Sequence, residues 1–256
     1  MSTTKPKLGL LIITKNEEKN LPACLESVRG LVDEMVLVDN HSQDRTLEIA
    51  RSFTDKIFQR PLTGYAEQKQ FGLEQCRSEW ILNLDADERL SPELRQEIQA
   101  CLQNSRIREN GYSVPFEVHF MGKALRFGRP GRERHVRLFR RSLARYAGLR
   151  VHEKVAIPDP VGFLRHPIVH RPYPGFQIYL EKLNRYTTMA AQEKYEFGER
   201  FSWRHHGLLP WKFFQEYVLE RGCLDGVAGL VWSALSAYYH WMKYLKLREM
   251  QSGEGT

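Results

Sequence analysis

The residues best placed to do chemistry are Ile81-Leu82-Asn83-Leu84-Asp85-Ala86-Asp87-Glu88, an apolar run that stops abruptly in three carboxylates. Ionised groups resist leaving water unless a cation or hydrogen-bond donors meet them. A buried strand ending this way therefore implies something positive at its tip. Asp85 and Asp87 are two residues apart, so on an extended backbone both carboxylates point to one side. That geometry suits a hard divalent cation such as Mg2+ or Mn2+, which takes oxygen ligands and commonly holds phosphates as well. The competing reading is a strand end running into a solvated, acid-rich helix cap, and the surrounding elements decide between the two.

Those elements alternate. Leu8 to Ile13 is a continuous apolar run of strand length that stops at Thr14-Lys15-Asn16-Glu17, the pattern of a parallel strand covered on both faces. A helix follows, with Leu21, Leu25 and Val28 on one face, Asn20 as N-cap, Pro22 in the first turn and Gly30 past the end. Met35 to Val38 is a second buried strand ending in Asp39-Asn40-His41-Ser42-Gln43-Asp44, and a helix with Leu47, Ala50 and Phe53 inward comes next. Ile57-Phe58, a helix over Ala66 to Cys76, and the strand Trp80 to Leu84 continue the alternation. The order predicts an α/β fold with a mostly parallel sheet, right-handed crossovers and helices on both faces. Ligands of such sheets bind beyond the carboxyl ends of the strands. Thr14 to Glu17, Asp39 to Asp44 and Asp85 to Asp87 would then share one rim, which raises the acidic pair above a helix cap.

The second half reads less regularly. Ser91-Pro92 opens a helix with Leu94, Ile98 and Leu102 inward. Residues 112–120 carry Pro115, which predicts an edge or antiparallel strand. Gly122 to Arg134 is a Gly- and Arg-rich loop able to close over a ligand, Val136 to Phe139 is a strand, and Tyr146 to Pro174 is irregular. From Phe176 the pattern is helical, and Val227 to Met242 has no formal charge. That stretch falls short of the roughly 20 residues needed to span hydrocarbon. Its Trp232, Tyr238, Tyr239 and Trp241, followed by Lys243, Lys246 and Arg248, predict either an interfacial helix on a membrane surface or a core helix. We expect a catalytic domain over 1–172 and a helical region over 173–256.

The net charge is +7, yet residues 123–150 hold ten Lys and Arg against one acid, Glu133. An anionic partner is implied, a diphosphate, a lipid head group or a nucleic acid. Cys24, Cys76, Cys101 and Cys223 form no C-x-x-C pair, which suggests neither a zinc knuckle nor a disulfide framework and fits a reducing, cytoplasmic setting.

Taken together, Leu11 to Glu18, Val38 to Thr46 and Leu84 to Glu88 resemble the family 2 glycosyltransferases of the GT-A fold. Within that family the resemblance is to the small enzymes that add a hexose to the lipopolysaccharide inner core, and it continues through Gln68-Lys69, Val136 to Arg141, Val151-His152-Glu153 and Gly222 to Gly226. The resemblance implies inverting, metal-assisted transfer of a hexose, glucose foremost, from a UDP-sugar to a glycan or lipid-linked saccharide at the inner face of the cell membrane, with no nucleic acid involved. It implies that Thr14, Asn16 and Glu17 line the nucleotide pocket with Lys69, that Asp39 accepts from the base, that Asp85 stands between ribose and metal, and that Asp87 holds the metal. His152 would complete the metal shell or bind diphosphate, and Arg137 and Arg140 are candidate diphosphate clamps. The family usually has a segment like Ser-Gly-Ser after the first aspartate, where this chain has Asn40-His41-Ser42.

Inverting transfer needs a general base for the acceptor hydroxyl. Glu153 is the first choice and Glu88 the alternative; His170 reads as structural. Two other functions compete. Nucleotidyl transfer to a sugar phosphate would also use paired aspartates, but it favours a Gly-rich phosphate loop that Thr14 to Glu17 does not supply. A nucleic-acid surface over residues 123–150 would lack regularly interleaved aromatics and leaves the acidic rim unexplained.

Overall fold

The computed structural model describes residues 7–104, 106–148, 153–173 and 175–253. Two compact units divide the chain: Met1–Phe116 with Arg134–His170, and Glu117–Glu133 with Arg171–Thr256. The division therefore assigns the segment 117–133 to the second unit, which a single cut at residue 172 does not.

In the first unit, β1 (Leu8–Thr14), β2 (Glu34–Asp39), β3 (Ile57–Gln59) and β4 (Trp80–Asp85) form a parallel set in the order β3-β2-β1-β4. Every residue of β1 except Ile13 is buried, because helices cover a parallel sheet on both sides and leave no solvent face. Between the strands run α1 (Leu21–Val28), α2 (Thr46–Arg51) and α3 (Tyr65–Gln75). α1 buries Leu21, Leu25 and Val28 as its spacing requires, and the chain leaves it through Gly30 at φ 70°, a left-handed turn that glycine adopts without steric cost. Asn20 occupies the cap position, but its side chain donates to Glu17 and not to the helix. One core cluster joins Leu11 and Val36 to Leu73, Ile81 and Phe139. α4 (Pro92–Gln103) is capped as its sequence predicts, Ser91 Oγ accepting from the Leu94 amide at 3.1 Å.

Beyond β4 the sheet turns antiparallel. β8 (Arg134–Arg140) pairs with β4 and with β6 (Gly111–Phe120), both antiparallel. β6 is antiparallel as expected, but it is not an edge: β11 (Val161–Phe163) and β12 (Ile168–His170) also pair with it. Its register with β8 shifts between Tyr112 and Ser113, an irregularity of the kind that lets a strand carry a proline. The segment expected to be irregular over 146–174 instead contains β9 (Arg145–Gly148), β10 (Glu153–Ala156), β11 and β12. β12 pairs antiparallel with β5 (Glu88–Leu90), setting His170 opposite Glu88.

The second unit is built on α5 (Phe176–Glu196), α6 (Leu208–Phe214) and α7 (Gly226–Ser252), with β7 (Lys123–Leu125) paired to the end of β6. Phe120, Leu125, Tyr179, Leu183 and Ala228 form its buried cluster, with Trp232, Leu235 and Tyr239 packed against it. Of the two readings of this stretch, interfacial helix or core helix, these three side chains follow the second and pack on protein. Among the described residues, no helix is long and apolar enough to cross a membrane. The Gly- and Arg-rich segment is not a free loop either. Asp225 accepts from the Arg126 and Phe127 amides at 3.1 and 3.0 Å, and the Gly128 amide donates to Glu220 O at 2.9 Å.

Candidate active site

Strand register brings the site together. Thr14 lies opposite Asp39 on β1 and β2, and Ile13 lies opposite Asp85 on β1 and β4, so the three polar strand ends share one rim with neighbours about 4.8 Å apart. The expected convergence of Thr14, Asp39 and Asp85 is present.

Asp39 is fully buried and held by donors. Thr14 Oγ1 reaches its Oδ1 at 3.0 Å, Ser42 Oγ the same oxygen at 2.5 Å, and the Ser42 amide its Oδ2 at 2.8 Å. The same hydroxyl accepts from the Asn16 amide at 2.8 Å, and Asn16 Oδ1 accepts from the Gln43 amide at 2.8 Å. The Glu17 amide donates to Thr46 Oγ1 at 2.8 Å, and the Glu18 amide to Asp44 Oδ2 at 3.1 Å. The two loops after β1 and β2 are thus one hydrogen-bonded body. Each carries a non-glycine residue in the left-handed region, Asn16 at φ 53° and His41 at φ 50°. His41 stands where the family usually has glycine, and the backbone shows why: a glycine takes that conformation without the cost a Cβ brings.

A second, ionic network surrounds Asp85. Lys69 Nζ from α3 sits 2.9 Å from Asp85 Oδ1, and Arg137 from β8 donates to Asp85 Oδ2 at 3.0 Å and to Glu88 Oε1 at 2.5 Å. Arg137 also donates to Asn83 Oδ1 at 3.0 Å, while Asn83 Nδ2 donates to the Leu11 carbonyl at 3.0 Å. Glu88 accepts from the Asp85 amide at 2.9 Å and fixes the turn between the two aspartates. Burial pushes the Asp85 carboxyl up, but Lys69 and Arg137 outweigh it and hold the group well below the usual carboxylate range. Burial raises Glu88, and the Asp85 charge adds to it against the pull of Arg137.

This network corrects two expectations. Each Asp85 oxygen faces a cationic side chain, whose charge opposes a metal ion at that carboxylate but leaves lone pairs for a neutral donor. Arg137, expected to clamp diphosphate, is buried against two carboxylates, because β8 runs beside β4 and delivers its guanidinium to the Asp85 end of that strand. Arg140 instead pairs with Glu79 at 2.6 Å and lies over the Trp80 ring.

Asp87 and His170 form an ion pair that could take up a cation only after His170 gives up its proton. Asp87 Oδ1 and His170 Nε2 are 3.5 Å apart, close to the roughly 3 Å that separates adjacent ligands of one octahedral ion. Burial lowers the His170 pKa, but the Asp87 hydrogen bond and charge, with Glu88 and Asp85 behind them, raise it to about 9. Among the described residues no group of three or more His, Cys, Asp or Glu is arranged to hold a metal. The further ligands of an ion on Asp87 and His170 would come from phosphate and water, as Mg2+ prefers. His170, read from the sequence as structural, comes beside Asp87 through the pairing of β5 with β12, two three-residue strands too short to show a period. Of the remaining candidates, His152 lies outside the described residues. Glu153 opens β10, its backbone paired with Gly148.

A parallel sheet that gathers polar loops, an Asp-x-Asp turn and a histidine at its strand ends defines an α/β enzyme of the GT-A type. The model of Glycosyl transferase family 2 matches residues 10–148. The chain is 30% identical to the uncharacterized glycosyltransferase RT0209 of Rickettsia typhi, over 95% of this chain and 87% of that one. It is 32% identical to the lipopolysaccharide core biosynthesis glycosyltransferase LpsC of Rhizobium meliloti, over 94% and 93% respectively. S. aureus TarS 1-349 superposes with a TM-score of 0.49 at 14% identity, covering 98% of this chain and 92% of that chain. The chain belongs to family 2 of the glycosyltransferases.

Proposed function

We propose that this glycosyltransferase moves a hexose from a UDP-sugar to a saccharide of a lipid-linked glycan, with inversion at the anomeric carbon and a divalent cation held by Asp87 and His170. The observation that carries the reading is the shared rim, where Thr14, Asp39 and Asp85 stand on three adjacent strands. The likeness over nearly the full length to an enzyme of lipopolysaccharide core biosynthesis supports the acceptor class.

In this reading the loops of Asn16, Glu17 and Ser42 receive the nucleoside. Asp39 Oδ2 carries a single hydrogen bond, which leaves a lone pair for the imide N–H of uracil. Asp85, kept ionised by Lys69 and Arg137, accepts from the ribose. A bound cation offsets the charge that builds on the departing diphosphate, a contribution worth several kcal/mol. Glu88 accepts from Arg137 on one oxygen and from the Asp85 amide on the other, so neither oxygen is left for an acceptor proton, and Glu153 is the base that takes it.

Incubation with UDP-sugar and acceptor should release UDP and no pyrophosphate; pyrophosphate would indicate nucleotidyl transfer. Glu153→Gln should keep donor affinity and lose about a hundredfold or more in turnover. Lost affinity at unchanged turnover would make Glu153 a binding group.

A further inference from the structure

The outward side of α6 and of the turn that continues it is apolar, where an ordinary surface helix shows polar side chains to water. Glu216, on the π-helical turn Gln215–Leu219 that continues α6, is buried and accepts from Ser236 Oγ at 2.6 Å. Trp211 is 54% exposed, Phe214 45%, Val218 47% and Leu219 56%. The Trp211 and Phe214 rings lie 6.3 Å apart. Leu224, on the turn before α7, and Val227, in its first turn, are exposed as well. Scattered apolar side chains are normal on a surface, whereas a contiguous run of this size marks an interaction site.

Its rim is basic. The backbone bonds from residues 126–128 to Asp225 and Glu220 fasten the arginine loop to the same turn, and Arg126, Arg129, Arg132 and Arg221 are exposed there. The nearby acids are occupied: Asp225 by those amides, Glu220 by Gln215 Nε2 at 2.9 Å and Glu216 inside the unit. An apolar stripe with tryptophan and phenylalanine, edged by arginine, matches the boundary between acyl chains and anionic head groups.

From this we infer that α6 and the turn after it form the face by which the protein docks on an anionic phospholipid bilayer, in place of the aromatic stretch of α7. Its test needs neither donor nor acceptor. In flotation assays the full chain should rise with phosphatidylcholine vesicles that contain phosphatidylglycerol, stay behind with pure phosphatidylcholine, and detach in high salt. Trp211→Gln with Phe214→Gln should reduce binding at least about tenfold, and Arg126→Gln and Arg129→Gln about fivefold each. Phe163→Gln, an exposed apolar position of the other unit, should change nothing. If the double variant melts early, Val218→Gln with Leu219→Gln serves in its place. The proposal is overturned if the wild type ignores anionic vesicles or if folded face variants float as well as it does. It is equally overturned if light scattering shows a dimer that these variants split, since a second copy would then cover the face.

Discussion

Between Asp85 and Glu88 stands a single guanidinium, and removing it would leave the buried Glu88 carboxylate with no cation against the Asp85 charge. Arg137→Met should therefore cost about 3–5 kcal/mol, read as a lower urea midpoint at unchanged slope; an unaffected midpoint would mean that the network is not formed. The identity of these charged residues was legible in the sequence, but their pairing was not. Strand alternation tells which face Arg137 takes, yet its partners lie some fifty positions away along the chain. A cluster of arginines beside an expected phosphate pointed to diphosphate, whereas the fold spends this one on carboxylates. His170 was hidden for the opposite reason, being a lone histidine in a stretch with no visible period.

At the scale of elements, α3 must lie close to the sheet for Lys69 to reach Asp85. Gly72, three residues further along the helix, makes that possible: a methyl there would run into Leu11 Cδ1 and stand 2.9 Å from Val38 Cγ2. In an open helix Gly→Ala gains about 1 kcal/mol; Gly72→Ala should instead cost about 1–3 kcal/mol by overpacking, and the sign alone tests the packing in a denaturant melt. Glu34, at the start of β2, accepts from the Arg77 and Ser78 amides at 2.8 and 2.9 Å and from Ser78 Oγ at 2.8 Å, and pairs with Lys56. Burial raises its pKa, but Lys56 and these donors bring it down to about 2. A depressed carboxylate contributes stability above its unfolded pKa and loses it as pH falls towards the folded value. Wild-type stability should thus drop between about pH 4.5 and pH 2, and Glu34→Gln should flatten that part of the curve. β1, β2 and β4 were readable because each is an apolar run of strand length, and the short β3 because it falls between two helices of the alternation. The strands β5, β7 and β9 to β12 were not, since three or four residues carry no period and their pairing is decided by distant partners.

Over the whole molecule, family membership rests on the length of the matches, and the account of function rests on the rim. Asp87 and His170 come from segments far apart in sequence and meet because β5 and β12 pair. The measurement that bears most directly on this account is a thermal shift of the full chain with UDP-sugars, with and without Mn2+. A rise in melting temperature that needs both ligands together, and that Asp87→Asn and His170→Ala each abolish when measured against the variant's own unliganded melt, is the predicted result. A donor-induced shift untouched by either substitution, or no shift with any UDP-sugar, would contradict it.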